Sequence, residues 1–370
     1  MPSIAKLLPS IAKMPSIRNN SMSAASRSQQ LLSLLSEYER VTIVMHDNPD
    51  PDAIASGWGL HVLISEKLEM PVRLVGGGAI VRAENRHLVE LLNPPIELLD
   101  EIEDDPRSAT ILVDCGAEAT NHLLTQLGIE PVAIIDHHKT VGADLPTRFV
   151  DIRPDAAASA TIVADYLREQ HIEPGPKLAT AMLYAVRSET CGYESYHSPL
   201  DRSILPWLTE VGEPSLLAEI DNAPLTRTYF GDLLLALQNT FLYEDIGICF
   251  LPRASGAEIV GEVADMLVRC QCVRRVLCAA LIGDDLLVSV RTAPRGGSAV
   301  HLLVETLDGI GGAGGHSHRA GGKISHVTSS VEKTEAVYDH LRNRWLDVCN
   351  VKTRKGSRLI PKKEIVANLD

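Results

Sequence analysis

The sequence VTIVMHDNPDPDAIAS, residues 41–56, decides the fold, because it reads as a strand, an acidic loop and the start of a helix. An apolar run over residues 41–45 stops at His46, and Asp50 and Asp52 follow among prolines. The prolines stiffen this loop and keep it out of a helix, so the side chains are held as a preset group. Strand, loop and helix in this order form the first unit of a doubly wound α/β sheet, whose ligands gather at the carboxyl ends of strands.

Two further apolar runs end in the same kind of residue. Residues 110–113 stop at Asp114, and residues 133–135 stop at Asp136-His137-His138. A parallel sheet brings such ends to one edge, so six side chains are expected to converge: His46, Asp50, Asp52, Asp114, His137 and His138. Imidazole and carboxylate groups suit Mn²⁺, Mg²⁺, Fe²⁺ or Zn²⁺. The pattern predicts a metal site, whereas the first stretch alone would also fit a solvated turn with Asp52 as a helix cap.

Composition limits the classes of protein that this chain can represent. Its 370 residues suffice for two ordinary domains, and no apolar run approaches the roughly 20 residues of a membrane helix. The seven scattered cysteines favour a reducing, cytoplasmic location, and Cys270 and Cys272 are interpreted as buried thiols. The net charge of −13 argues against long duplex nucleic acid and favours a small phosphate-bearing partner. Homodimer formation is left open as an alternative to a monomer.

The order of apolar and polar segments divides the chain into five parts. Residues 1–29 are Ser-rich and basic, and we expect a disordered extension, a transit peptide or a start assigned too early. A first α/β domain is expected over residues 30–205 and a helical linker over 206–235. A smaller second α/β domain is expected over residues 236–350, before a basic tail at 351–370.

A glycine-rich segment marks the second domain. Residues 311–322, GGAGGHSHRAGG, combine close backbone approach with His316, His318 and Arg319. A flexible linker is the alternative, but a predicted strand and helix follow the segment directly. We therefore interpret it as a clamp for a phosphate or a nucleotide.

These motifs resemble a known family. His46-x-x-x-Asp50-x-Asp52, Val113-Asp114 and Asp136-His137-His138 resemble the first three motifs of the DHH phosphoesterases, and the glycine run with His316 resembles the GGGH motif of the DHHA1 domain. The likeness spans residues 31–348, and the two-domain layout is similar to nanoRNase (bifunctional oligoribonuclease)/pAp phosphatases and their cyclic-dinucleotide relatives. It implies an N-terminal doubly wound, mainly parallel DHH domain with a smaller C-terminal α/β DHHA1 domain.

The resemblance also implies a set of metal ligands. His46 and Asp50 would hold one Mn²⁺, Asp52 and His137 would hold the other, and Asp114 would bridge both. Mg²⁺ or Co²⁺ would be substitutes for Mn²⁺.

The fourth motif of the family usually reads Thr/Ser-Asp-Thr, whereas this chain has Ser188-Glu189-Thr190. Glu189 is expected to ligate the second ion with altered geometry. His138 would face the scissile phosphate, and Asp136 would orient a histidine ring. The expected substrate-binding residues are Arg291, Gly314, Gly315, His316, His318 and Arg319.

The implied activity is hydrolysis by two-metal-activated water. The substrates would be short oligoribonucleotides, linear or cyclic dinucleotides, or 3′-phosphoadenosine 5′-phosphate (pAp). The alternatives are a catalytically weakened nucleotide-binding regulatory protein, in which Glu189 impairs the second ion, and a pyrophosphatase-like enzyme of the same superfamily.

Overall fold

The structure is a computed structural model that describes residues 25–116, 119–138, 147–190, 192–193, 197–251, 254, 256–327 and 331–361. Within these residues the chain forms two successive α/β units, each built on one β-sheet. Most of the predicted extension and the end of the predicted tail, residues 1–24 and 362–370, lie outside the described residues. The first helix begins at Arg27, inside the predicted extension.

The first unit contains a parallel sheet and its covering helices. Its elements are α1 Arg27–Leu35, β1 Arg40–Val44, α2 Pro51–Leu68, β2 Val72–Gly76, α3 Ala83–Leu92, β3 Ile96–Leu98, β4 Ser108–Val113, α4 Leu123–Leu127, β5 Ala133–Asp136, β6 Phe149–Ile152, α5 Ser159–Glu169, α6 Pro176–Thr190, α7 Pro199–Val211 and α8 Pro214–Asp221.

The described strands of the first unit have the order β3-β2-β1-β4-β5-β6, and all neighbours are parallel. Successive residues of one strand pack into different hydrophobic cores on the two faces of the sheet, as Ile43 and Val44 do in β1. Both faces of the sheet are therefore buried, as parallel sheets require. The doubly wound, parallel arrangement predicted from the sequence is confirmed, and its strand order reverses between β1 and β4.

The second unit contains a mixed sheet. Its elements are α9 Arg227–Asn239, β7 Thr240–Tyr243, β8 Ile246–Leu251, α10 Glu258–Leu267, β9 Arg275–Ile282, β10 Asp285–Thr292, α11 Ala299–Leu307, β11 Gly312–Gly315, β12 Arg319–Ile324, α12 Val331–Val348 and β13 Ser357–Arg358. The described strands have the order β11-β12-β10-β9-β8-β7-β13, with β8 and β9 parallel and the other neighbours antiparallel.

The glycine-rich segment is not a flexible linker, which was the alternative to a clamp. It forms the antiparallel pair β11 and β12, with Gly312 opposite Lys323. A Cβ on Gly322 would lie 2.8 Å from the carbonyl oxygen of Gly312 and 2.5 Å from Leu307 Cδ1, so glycine permits this close pairing. The segment is an edge hairpin of the second sheet and therefore holds its backbone in a fixed position.

One prediction about the cysteines is wrong. Cys272 is exposed and Cys270 is half-buried, with their sulfur atoms 3.2 Å apart. The pair lies in the turns that follow α10, where the helical apolar pattern has already ended.

Candidate active site

The strand-end residues meet where the strand order of the first sheet reverses. His46 follows β1, Asp114 follows β4, and Asp136 ends β5. β1 and β4 are adjacent and parallel, so the chain leaves both strands at the same edge. Asp114 has a left-handed backbone with φ of 55°, which aspartate tolerates better than most residues. This backbone turns the chain away from β4 directly at the site.

The helix α2 positions two carboxylates at its first turn. Asp50, and not Asp52 as the sequence suggested, is the N-cap residue, and one of its oxygens accepts from the backbone N–H groups of Asp52 and Ala53 at 2.9 and 3.1 Å. The carboxylate of Asp52 is buried and accepts from the N–H groups of Ser159 and Ala160, both at 2.7 Å. The Asp52 carboxylate thereby caps the N-terminus of α5, because the N-cap residue of that helix makes no side-chain hydrogen bond.

The two histidines that face these carboxylates are oriented by backbone carbonyl groups. Nδ1 of His46 lies 2.9 Å from the carbonyl oxygen of Asp47, and Nδ1 of His137 lies 3.3 Å from that of Ala156. Each ring therefore presents Nε2 to the carboxylates. A carbonyl partner of this kind fixes the ring of a metal-binding histidine in known metal sites.

Asp114 lies between the two histidines. Its Oδ2 is 3.9 Å from Nε2 of His46, and its Oδ1 is 3.6 Å from Nε2 of His137. Asp50 lies 3.8 Å from the first imidazole, and Asp52 lies 3.5 Å from the second. The five side chains thus form two adjacent groups that share one carboxylate.

Donor chemistry and charge both fit divalent cations. The ligand atoms within each of the groups His46–Asp50–Asp114 and Asp52–Asp114–His137 lie within 4.8 Å of one another. Burial raises the pKa of Asp52 to about 6. Burial, with the charges of Asp52, Asp50 and Asp136, raises the pKa of Asp114 well above its ordinary value. Crowded buried carboxylates favour an added positive charge, which a divalent ion would supply.

Asp136 contacts both the backbone and the ring of His138. One oxygen of Asp136 accepts from the N–H groups of His137 and His138, at 2.8 and 3.1 Å, and lies 2.8 Å from Nδ1 of the His138 ring. Burial lowers the pKa of His138, but the Asp136 carboxylate outweighs burial and raises that pKa overall. The His138 ring borders a cavity of about 710 Å³.

The second unit forms the opposite wall of this cavity. Residues of β10, β11 and β12 and the turn between the last two line it: Ser289, Arg291, Gly314, Gly315, His316, Arg319, Ala320 and Gly321. The His316 ring stacks on His137 with centroids 5.3 Å apart. Burial and the charge of Arg319 lower the pKa of His316 to about 2, so this ring is neutral. His318 is not among the lining residues, and its ring centroid is 6.3 Å from that of His316.

Glu189, near the end of α6, contacts the second unit. One oxygen forms an ion pair with Arg319, and the other lies 3.4 Å from Nε2 of His316. Arg319 also donates to the carbonyl oxygen of Ser188 at 3.3 Å. Glu189 lines the cavity but belongs to none of the groups of metal-type ligands found among the described residues. Its assignment as the sixth ligand stays a prediction.

Several supporting residues were not predicted from the sequence. The Ser159 hydroxyl donates to Asp114 at 2.9 Å. Asp201 accepts from the Ala157 N–H at 3.1 Å and from the Thr161 hydroxyl at 2.6 Å, and so fixes the segment that reaches Asp52 and His137. A serine at the start of a helix is common, so nothing in one sequence distinguishes Ser159.

The part of the chain that is described contains no helix long and apolar enough to cross a bilayer.

Comparison with known proteins relates the first unit to a family. Residues 40–186 match the DHH family, N-terminal domain. A curated relative, an uncharacterized protein of Methanocaldococcus jannaschii, is 29% identical over 320 residues, which are 84% of this chain. The match spans 64% of the length of that relative.

Two solved structures share the fold. An exopolyphosphatase-related protein from Bacteroides fragilis has a TM-score of 0.67 at 15% identity and covers 89% of this chain and 99% of its own. RecJ in complex with Mn²⁺ from Thermus thermophilus has a TM-score of 0.51 at 16% identity and covers 93% of this chain and 58% of its own. At these identities the likeness concerns the fold alone.

Proposed function

We propose that this protein is a divalent-metal phosphohydrolase of the DHH family that acts on short nucleotides. The substrate class comprises short oligoribonucleotides, linear or cyclic dinucleotides and pAp. One observation carries the proposal: the two oxygens of Asp114 face two carbonyl-anchored histidines, across one cavity from Arg291 and Arg319. Carboxylates and imidazoles on one wall and guanidinium groups on the other suit a substrate with one phosphate to cleave and another to hold.

The proposed ligands are His46 and Asp50 for one ion, Asp52 and His137 for the other, and Asp114 for both. When bound, a pair of divalent ions supplies an acidic water and neutralises charge on the phosphate oxygens. Manganese is the ion proposed first, because the fold is shared with RecJ, which was solved with Mn²⁺. Mg²⁺ and Co²⁺ are the alternatives, since the same ligand types bind them.

The remaining groups of the cavity would hold and orient the substrate. His138 presents the ring nitrogen that Asp136 leaves free to the cavity, where it can donate to an oxygen of the scissile phosphate. Arg291 and Arg319 can form charge-assisted hydrogen bonds to a second phosphate. In these roles the first unit carries out the hydrolysis, and the second unit binds the end of the substrate that lies away from the scissile phosphate.

Cavity size and net charge support a short substrate. The cavity of about 710 Å³ falls within the range of about 300–1,000 Å³ of small-molecule sites. The net charge of −13 opposes binding of a long polyanion. The β11–β12 hairpin forms part of the cavity wall and would restrict the passage of a longer strand.

A substrate panel tests the proposal. The purified protein with Mn²⁺ is incubated with a labelled linear dinucleotide, a cyclic dinucleotide, pAp, inorganic pyrophosphate and a long single strand. We expect turnover of at least one of the first three and little turnover of the last two. Tight dinucleotide binding without turnover would favour the regulatory alternative, and rapid pyrophosphate cleavage alone would favour the pyrophosphatase alternative.

A further inference from the structure

The guanidinium group of Arg291 is fixed on several sides by neighbours within the second unit. Its Nε donates to Oδ1 of Asp265, and its Nη2 lies 3.5 Å from Oδ2 of the same carboxylate. Its Nη1 donates to the Ser289 hydroxyl at 2.7 Å and to the carbonyl oxygen of Val290 at 3.0 Å. A two-point carboxylate contact fixes the plane of a guanidinium as well as its position.

Helix α10 is shaped to receive this side chain. Gly261 and Asp265 are four residues apart and therefore lie on one face of the helix. A Cβ at position 261 would lie 3.3 Å from Nη2 of Arg291, tighter than most side-chain contacts. The glycine leaves room for the guanidinium beside the helix backbone, and Asp265 binds it one turn later. Arg291 is only 13% exposed, so the fixed group is also largely shielded from solvent.

Asp265 also faces an arginine from the first unit. Nη2 of Arg82, the residue before α3, lies 3.6 Å from Oδ2 of Asp265. Arg82 donates to Glu84 as well, at 3.2 Å, so its side chain is held from its own unit. Asp265 therefore lies between two guanidinium groups, one from each unit.

We propose that Asp265 is a positioning residue, which orients Arg291 toward the substrate. Through its contact with Arg82, Asp265 also couples the orientation of Arg291 to the contact between the two units. The inference rests on the proposed function, since Arg291 is there the group that holds the distal phosphate. Arg82 and Asp265 are not among the residues that line the cavity, so neither is proposed as a substrate contact. Their effect is indirect: a carboxylate held from both sides keeps the arginine in one orientation before substrate arrives.

The inference predicts a selective kinetic defect. Asp265→Asn keeps the shape of the side chain but removes its charge, so Arg291 loses its ion pair. We expect KM for a linear dinucleotide to rise about tenfold, because one charge-assisted contact is weakened. The kcat on bis(p-nitrophenyl) phosphate, which has no second phosphate, should stay within about twofold of wild type.

Arg82→Gln and Arg82→Lys separate positioning within the second unit from coupling between the units. Arg82→Gln should raise KM for the dinucleotide by about threefold, and Arg82→Lys should restore most of the loss. The Asp265→Asn, Arg82→Gln double variant should show less than the product of the single effects, because both act through one carboxylate.

Asp285→Asn is the matched control. It removes the surface ion pair with Lys323, 3.2 Å long, at the opposite end of β10 from Arg291. This variant should change neither the KM for the dinucleotide nor the kcat on bis(p-nitrophenyl) phosphate. Bound Mn²⁺ is measured for every variant and should equal that of wild type.

The outcomes separate this inference from the proposed function. If wild type binds the dinucleotide without cleaving it, the dissociation constant replaces KM and the same comparison applies. An unchanged dinucleotide KM in Asp265→Asn would overturn the inference while the proposed function stands. Equal losses on both substrates, or lost Mn²⁺, would show general structural damage and overturn it too. If wild type acts only on a cyclic dinucleotide or pAp, that substrate replaces the linear dinucleotide in the comparison. If wild type neither binds nor cleaves any of the three, the proposed function fails and the inference falls with it.

Discussion

The two walls of the cavity hold their charged groups by different means. On the wall of the first unit, backbone groups fix the side chains of both ligand groups: N–H groups hold Asp52, and carbonyl groups orient His46 and His137. His138 is the exception, since the Asp136 carboxylate contacts its ring. On the wall of the second unit, carboxylates fix the side chains: Asp265 holds Arg291, and Glu189 holds Arg319. One wall depends on the sheet and its loops, and the other depends on ion pairs.

This difference separates two tasks. Backbone anchors persist as long as the sheet is folded, so the proposed ligands of the first unit stay in place whether the units are together or apart. The raised pKa values of Asp52 and Asp114 indicate that ionised carboxylates are costly in this crowded, buried place. Ion pairs that reach between units respond to salt and to unit movement. The first wall therefore suits chemistry, and the second suits reversible substrate binding.

The largest effect is expected from Asp114→Ala on the first wall. The variant removes the carboxylate shared by both ligand groups, so hydrolysis of the dinucleotide should fall by more than about 10²-fold. The fold should persist, because the β1–β4 pairing does not involve this side chain. Turnover is measured with Mn²⁺ at saturating substrate, with circular dichroism as the control for folding. Retention of more than about a tenth of wild-type turnover would contradict the two-ion arrangement.

An intermediate effect is expected from Arg291→Ala and His316→Ala on the second wall. Loss of a charge-assisted contact should lower kcat/KM for a short oligonucleotide by about 10–100-fold for Arg291→Ala, and less for the neutral His316. The loss should appear mainly in KM. Bound Mn²⁺, measured by atomic emission, should equal that of wild type. Loss of manganese in either variant would show that the substituted residue supports the metal site instead of binding the substrate.

A smaller effect on hydrolysis is expected from Glu189→Gln, where the two walls meet. Both oxygens of Glu189 face Arg319 and His316, so the variant should weaken the contact between units and leave two Mn²⁺ per chain. We expect the dinucleotide KM to rise by about threefold and the midpoint of thermal unfolding to fall, since Arg319 loses a buried partner. Glu189→Asp is the control that keeps the charge. Loss of one Mn²⁺ in Glu189→Gln would return Glu189 to the ligand set predicted from the sequence.

The contrast between the walls also explains what could be predicted from the sequence. His46, Asp114 and Asp136 could be placed together because each directly follows an apolar run, and parallel strands align their ends. The resemblance to the DHH family, now confirmed over residues 40–186, added the order of the motifs. The parallel sheet and the long helices followed from hydrophobic periodicity alone.

The supporting contacts could not be predicted in this way. Ser159 and Asp114 are 45 positions apart, and Arg82 and Asp265 lie in different units. Such pairs carry no periodicity and no motif, so only the folded chain brings them to notice. The β11–β12 hairpin was missed because glycine usually disfavours strands, while here the close strand pairing at Gly322 requires it.

Manganese stoichiometry tests the shared role of Asp114 most directly. Metal-free wild type and three variants, His46→Ala, Asp52→Ala and Asp114→Ala, are titrated with Mn²⁺ by isothermal calorimetry, and bound metal is counted after dialysis. The shared-carboxylate arrangement predicts two tightly bound ions in wild type, one in each of the first two variants, and none in Asp114→Ala. Two ions retained by Asp114→Ala, or no tight ion in wild type, would contradict it.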